Sequence, residues 1–218
     1  MNRLLTILFY ALTFASFGQS SPLNVGFEGG FGLASLRGND FIDKNHSSKT
    51  GYSAGLFVQY NFNKILSLRS GTYLEQKGSS FDFWAEDQNG QQIGPFQGKM
   101  NISYLNVPVL LRASFGKKTT YFVNAGPYIA FLLKQNEHTE AFSNYPETNA
   151  DRTGDFIKVD AGLSAGLGIS FDIKSKYALS FEIRDNLGLT NISKQTITNN
   201  GTIKTNTLNA LVGFVYKL

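Results

Sequence analysis

The stretch from Tyr104 to Leu133, YLNVPVLLRASFGKKTTYFVNAGPYIAFLL, constrains the fold more than any other. Leu105, Val107, Val109, Leu111 and Ala113 fall on one parity, and Tyr104, Asn106, Leu110 and Arg112 on the other. After the polar turn Gly116-Lys117-Lys118-Thr119, the alternation resumes. Tyr121, Val123, Ala125, Ile129, Phe131 and Leu133 then oppose Asn124, Gly126, Tyr128 and Lys134. A period of two on both sides of a short turn predicts an antiparallel hairpin with one apolar and one polar face. In a soluble sandwich the apolar face would be the core. In an outer-membrane barrel it would meet lipid, with the polar face lining the interior.

The rest of the chain separates these two readings. Alternating stripes predict strands over residues 23–36, 50–62, 65–77, 104–113, 121–133, 156–171, 177–190 and 205–218. Connections near 63, 117 and 174 are short, whereas those starting near 37, 78, 135 and 191 are long and polar. Short periplasmic turns alternating with long external loops mark an outer-membrane barrel, and bacterial single-chain barrels have an even strand number. The predicted strands are also about twice as long as the roughly 5–6 residues usual in globular sheets. No run approaches the ~18 apolar residues of a membrane helix, and mean hydropathy is −0.15. A barrel tolerates that value because only alternate residues face lipid. The fold expected is all-β: an eight-stranded antiparallel up-and-down transmembrane β-barrel. A soluble β-barrel carrier is the residual alternative.

The amino terminus reads MNRLLTILFYALTFASFGQS. Arg3, the apolar run from Leu4 to Phe14 and the small residues up to Gly18 have the order of a secretory signal peptide. Residues 1–18 are therefore read as a signal and 19–218 as the barrel, bound for the cell outer membrane. The chain has no cysteine, which excludes a lipoprotein anchor and a disulfide framework. The net charge of +4 is scattered, with no basic stripe for nucleic acid.

The motifs LNVPVLLR, AGPYIAFLL, LSFEIRDNLGLTNI and the closing LNALVGFVYKL resemble, in order, those of the PorT-like outer-membrane β-barrel family of Bacteroidetes. The resemblance covers nearly the whole mature chain and implies an outer-membrane location. One namesake of that family is linked to type IX secretion, while most relatives have no assigned activity. Asn106 stands where many relatives carry Glu.

Inward ionisable residues are the first site candidates. Glu28, Arg69, Arg112, Glu182 and Arg184 fall in the lower or middle part of the predicted lumen, with Glu75, Lys77, Lys134, Lys158 and Asp160 nearer the external end. The lumen of an eight-stranded barrel is just wide enough for side chains to fill. Glu28, Arg69, Arg112, Glu182, Arg184, Lys158 and Asp160 are therefore expected to form an ion-pair network that plugs it. The second external loop carries Phe81, Phe83, Trp84 and Phe96. These aromatics read either as a contact surface or as a membrane-interface belt.

No catalytic residue, cofactor or metal is expected. His46 and His138 fall in loops without zinc spacing, and His46-Ser47-Ser48 does not build an aligned relay. The function expected is a plugged structural or interaction barrel, in contact with outer-membrane lipid or lipopolysaccharide and with a protein partner at its external loops. It is expected to be a monomer and to bind no nucleic acid. A small channel is the alternative, followed by a lipid-modifying enzyme at the rim.

Overall fold

The computed structural model describes residues 22–86, 89–116, 119–142, 146–195 and 201–218. The expected signal peptide, 1–18, lies outside them, as do the Lys117-Lys118 and Asn199-Asn200 turn positions. Among the described residues eight strands form one closed antiparallel ring. They are β1 (Leu23–Arg37), β2 (Lys49–Asn61), β3 (Leu66–Glu86), β4 (Gln92–Gly116), β5 (Thr119–Thr139), β6 (Val159–Lys174), β7 (Tyr177–Gly188) and β8 (Lys204–Lys217). Each strand pairs with its sequence neighbour, and β1 pairs with β8 to close the ring.

The apolar stripe faces outward. Val109, Leu111, Ile129 and Leu163 are 40–52% exposed, whereas Arg69 and Glu182 are 1% and 4% exposed. That inversion is the geometry of a barrel solvated by lipid, since a soluble core would bury the first set. The β2–β3 turn is set by Asn63, whose Oδ1 accepts from the backbone N–H groups of Ile65 and Leu66, both at 2.8 Å. This is an Asx turn of the kind that favours asparagine at chain reversals. Gly168 shows why glycine recurs on the inner face: an added Cβ would lie 2.4 Å from the Phe122 ring.

Four expectations need correction. The long polar loop read over 78–101 is strand, because β3 and β4 stay paired up to Trp84–Pro95 and Ala85–Gly94. Above the membrane the stripes exchange chemistry, with Phe81, Phe83, Phe96 and Ile102 inward and Ser80, Asp82, Gln97 and Lys99 outward, so the parity seen lower down inverts while the hydrogen-bond ladder continues. The loop after β1 holds a short helix, α1 (Asp40–Asn45), capped by Asn39, whose side chain accepts from Ile42 N–H at 3.0 Å. β5 runs on to Thr139, and Thr148–Asp151 folds back onto its end. β6 starts at Val159, since Phe156 leaves the sheet to bridge Ser193.

A bulge changes parity near the top of β5. Ser103 faces Lys134 and Tyr104 faces Leu132, so Leu133 is the extra residue. Lys134, expected inside, is exposed, and Gln135 is buried in its place. The outward assignment of the hydrocarbon belt predicts that Val109→Arg destabilises the folded barrel in bilayers by about 2–4 kcal/mol. Gln97→Arg, on the same face of β4 above the belt, should leave stability unchanged. Urea titration in liposomes, read by heat-modifiable gel mobility, checks both.

Candidate functional site: the filled lumen and the external hairpin

Inward side chains fill the ring in layers. In the lower layer Glu28 binds Arg69 and, at 2.6 Å, Arg184. Glu182 pairs with Arg184 at 2.6 Å, Arg112 at 3.3 Å and Arg69 at 3.8 Å. Asn124 bridges them, donating to Glu182 at 2.8 Å and accepting from Arg112 Nε at 2.8 Å. Two guanidiniums also lie over inner-face aromatics: Arg69 Cζ is 3.4 Å from the Phe57 ring centroid and Arg112 Cζ is 3.8 Å from that of Phe122.

Above this layer sits Glu75, solvated by neutral amides. Asn106 and Asn186 donate to it at 2.7 Å and Asn209 at 3.0 Å. Higher still, Lys77 Nζ donates to Asp160 at 3.0 Å, Tyr128 at 3.1 Å and Thr205 at 3.3 Å. Thr205 and Thr190 in turn donate to Asp160, at 2.8 and 3.1 Å. The cations Arg69, Arg112, Arg184 and Lys77 thus match the carboxylates Glu28, Glu182, Glu75 and Asp160 in number. An apolar lid closes the external end. Ile42 of α1, Phe156 and Ile192 pack on Leu36, Ile102, Tyr104, Tyr128 and Ala130.

Of the residues expected in the network, Glu28, Arg69, Arg112, Glu182 and Arg184 share the lower layer, while Asp160 lies in the upper one. Lys158 does not join them. It precedes β6 and is exposed, and the cation beside Asp160 is Lys77. The sequence reading left Glu75, Lys77 and the three asparagines out of the network. Asn106 and Asn186 do stand on the polar stripe, so strand parity was the signal available for them.

The β3–β4 hairpin carries the second cluster. Phe81, Phe83 and Phe96 lie within 5.2–6.3 Å of one another, on the same side of β3 as Lys77 and Ser79. Phe41 of α1 reaches Phe83 at 5.3 Å and Phe142 reaches Phe96 at 5.3 Å. Trp84 points the other way and is 60% exposed, opposite Pro95. Below it the outward side of the hairpin is polar: Gln76, Ser80, Asp82, Gln97, Lys99 and Asn101. At ~3.3 Å per residue and a tilt of ~40°, Trp84 stands about 25 Å above Leu74. That height removes it from an interfacial belt.

His46 touches a serine other than those beside it in sequence. Its Nδ1 lies 2.7 Å from Ser79 Oγ. Ser79 is fully buried, so this hydroxyl cannot reach a substrate. His138 bonds Asn149 Oδ1 at 3.0 Å on the outside. Burial lowers the pKa of His46 below its ordinary value of about 6.5.

A closed antiparallel ring with an apolar exterior and a charged, paired interior is a transmembrane β-barrel of the outer-membrane type. The chain belongs to the family described as outer membrane protein beta-barrel domain, whose model matches residues 14–194. It is therefore an integral outer-membrane protein. No curated protein matches the sequence. Among solved structures, the chain is similar to Ail, the attachment invasion locus protein of Yersinia pestis, with 11% identity and a TM-score of 0.43 over 89% of this chain and 97% of that one. It is also similar to OprG from Pseudomonas aeruginosa, with 11% identity and a TM-score of 0.46 over 92% and 98%. A third is the Escherichia coli outer membrane protease OmpT, with 7% identity and a TM-score of 0.40 over 93% and 99%.

Two outcomes follow. Glu182→Gln leaves buried guanidiniums short of a counter-charge and should cost about 3–5 kcal/mol of unfolding free energy. Combining it with Arg112→Gln should cost less than the sum of the two single changes, the signature of coupled partners. At His46 the folded state resists protonation, so its contribution is present above about pH 6.5 and is lost as pH falls below that value. The wild type should then lose thermal stability relative to His46→Gln between about pH 7 and pH 5. A difference that stays constant over that range contradicts the assignment.

Proposed function

We propose that this protein is a plugged barrel that acts at the cell surface, with the lumen as scaffold and the external hairpin as the contact element for a protein partner. One observation carries the reading. From Arg69 to Lys77 the inward charges of the pairs are at most 5% exposed, and an apolar lid covers them. Solute transit would require breaking several buried ion pairs at once, each costly to separate. What the molecule offers to its surroundings is then the hairpin with Trp84, Pro95 and Ile93 at its outward tip.

The finer parts of this reading rest on sequence. Residues 1–18 act as the export signal and 19–218 as the mature, monomeric barrel. The motifs LNVPVLLR, AGPYIAFLL and GLTNI support placing it with the PorT-like group of Bacteroidetes, which makes a secretion-machinery component one partner to test. The barrel has no catalytic role in this reading.

The test has two arms. Purified mature protein in planar bilayers should give no stable ohmic step above background; a reproducible step overturns the plug and favours a channel. In whole cells, a photo-crosslinking residue at Trp84 should capture one defined protein species. A probe at Asn101 should capture the same species in the intact protein, and a shortened hairpin lacking residues 80–97 should stay heat-modifiable and lose that capture. Capture that persists unchanged without the tip rejects the hairpin as the contact element.

A further inference from the structure

The outward stripe shared by β1 and β8 ends in an arrangement that neither the lumen nor the hairpin explains. Its rungs are the register pairs Val25–Tyr216, Phe27–Phe214, Gly29–Val212, Phe31–Ala210, Leu33–Leu208, Ser35–Asn206 and Arg37–Lys204. Val25 through Leu33 covers the roughly 9–11 residues that a tilted strand needs to cross the hydrocarbon. The next rung is neutral and polar, and the one above it holds two cations side by side.

Like charges directly opposite on neighbouring strands repel, and the backbone gives them no room to part. Thr202 N–H donates to Gly38 O at 3.0 Å, and Asn39 Nδ2 donates to Thr202 O at 3.0 Å. These bonds tie the chain just above the rung. Arg37 reaches sideways to donate from Nη2 to Gly188 O at 2.6 Å. Its Nε is buried without a hydrogen-bond partner. Among the described residues neither Arg37 nor Lys204 forms a salt bridge. Asp185 of β7 stands opposite Leu208, at the upper edge of the belt.

We propose that Arg37 and Lys204 bind the phosphate of an outer-leaflet lipid, whose acyl chains lie down the stripe over Leu33, Leu208 and Phe31. The chemistry fits on three counts. A guanidinium and an ammonium together match a phosphate, the guanidinium by paired N–H donors. The height fits as well: Arg37 is four residues above Leu33, about 10 Å at ~3.3 Å per residue and a tilt of ~40°. Long basic side chains turn back along the wall to reach the headgroup layer, as Arg37 already does toward Gly188. The ligand must be an amphiphile, because Leu33 and Leu208, two rungs below on the same face, are 56% and 47% exposed.

The test uses the full mature protein in detergent, with lipid A and its enzymatically dephosphorylated form as probes and native mass spectrometry as the readout. The wild type should retain the phosphorylated probe at least about tenfold better, a difference of ~1.4 kcal/mol. Arg37→Gln combined with Lys204→Gln should bring retention down to the dephosphorylated level. Lys64→Gln, at the opposite end of the barrel, should not. Heat-modifiable mobility of each variant shows that it is folded; should the double variant fail that check, Lys204→Gln alone carries the comparison. Equal retention of lipid A by wild type and folded variant overturns the proposal. So does full competition by millimolar inorganic phosphate, which would mean that the rung reads the anion without its lipid. Either result leaves the hairpin reading untouched.

Discussion

Everything in this molecule follows from where its backbone polar groups and its charges are allowed to be. A sheet in hydrocarbon cannot leave an edge unpaired, so the ring must close. Here β1 meets β8 along a continuous register from Asn24–Lys217 to Arg37–Lys204. Once closed, the wall has only two faces. The outer one cannot hold charge at modest cost, so strand parity sends every ionisable side chain in the belt inward, apart from Asp185 near its upper edge. Eight strands leave a lumen with space for side chains and little else. The charges are thereby forced together, and they must cancel.

How they cancel differs by depth. The lower layer uses direct guanidinium–carboxylate contact, with Glu28 and Glu182 shared among three arginines. Glu75 is held instead by three asparagine amides, with Lys77 at 4.0 Å. Neutral donors of this kind take the place of water around a buried carboxylate without adding a charge that would need its own partner. Asn106 serves that purpose: a carboxylate in its place beside Glu75 would oppose it. The result is a rigid, electrically balanced column beneath an apolar lid.

Strand parity made the barrel legible in the sequence, including the inward set Glu28, Arg69, Arg112, Glu182 and Arg184. It failed where a single residue resets it. Leu133 bulges out of β5, and the two positions after it exchange faces, putting Lys134 outside and Gln135 inside. Lys158 stands outside for a related reason: Phe156 belongs to the lid and the strand starts at Val159, so the residues before it carry no sheet parity. The upper halves of β3 and β4 were hidden because the solvent changes. Above the lipid the outward face turns polar, with Ser80, Asp82, Gln97 and Lys99, and the rings of Phe81, Phe83 and Phe96 move to the inner face, so the stripe pattern of the belt does not carry on. The three amides around Glu75 come from β4, β7 and β8, so only closure of the ring brings them together.

The buried column and the hairpin are parts of one mechanical arrangement. Glu75 and Lys77 hold the middle of β3 from inside, and the same strand continues without a break to Glu86. On its inner side, Phe81 and Phe83 pack with Phe96 against α1 and His46. The arm that carries Trp84 is thus a braced extension of the wall, fixed at its root by ion pairs and along its length by stacked rings. A loop of the same sequence length would lose conformational entropy on meeting a partner; a strand pair already ordered by the barrel has little left to lose. Filling the lumen with paired charges fixes the root of β3, and with it the position of that arm above the membrane.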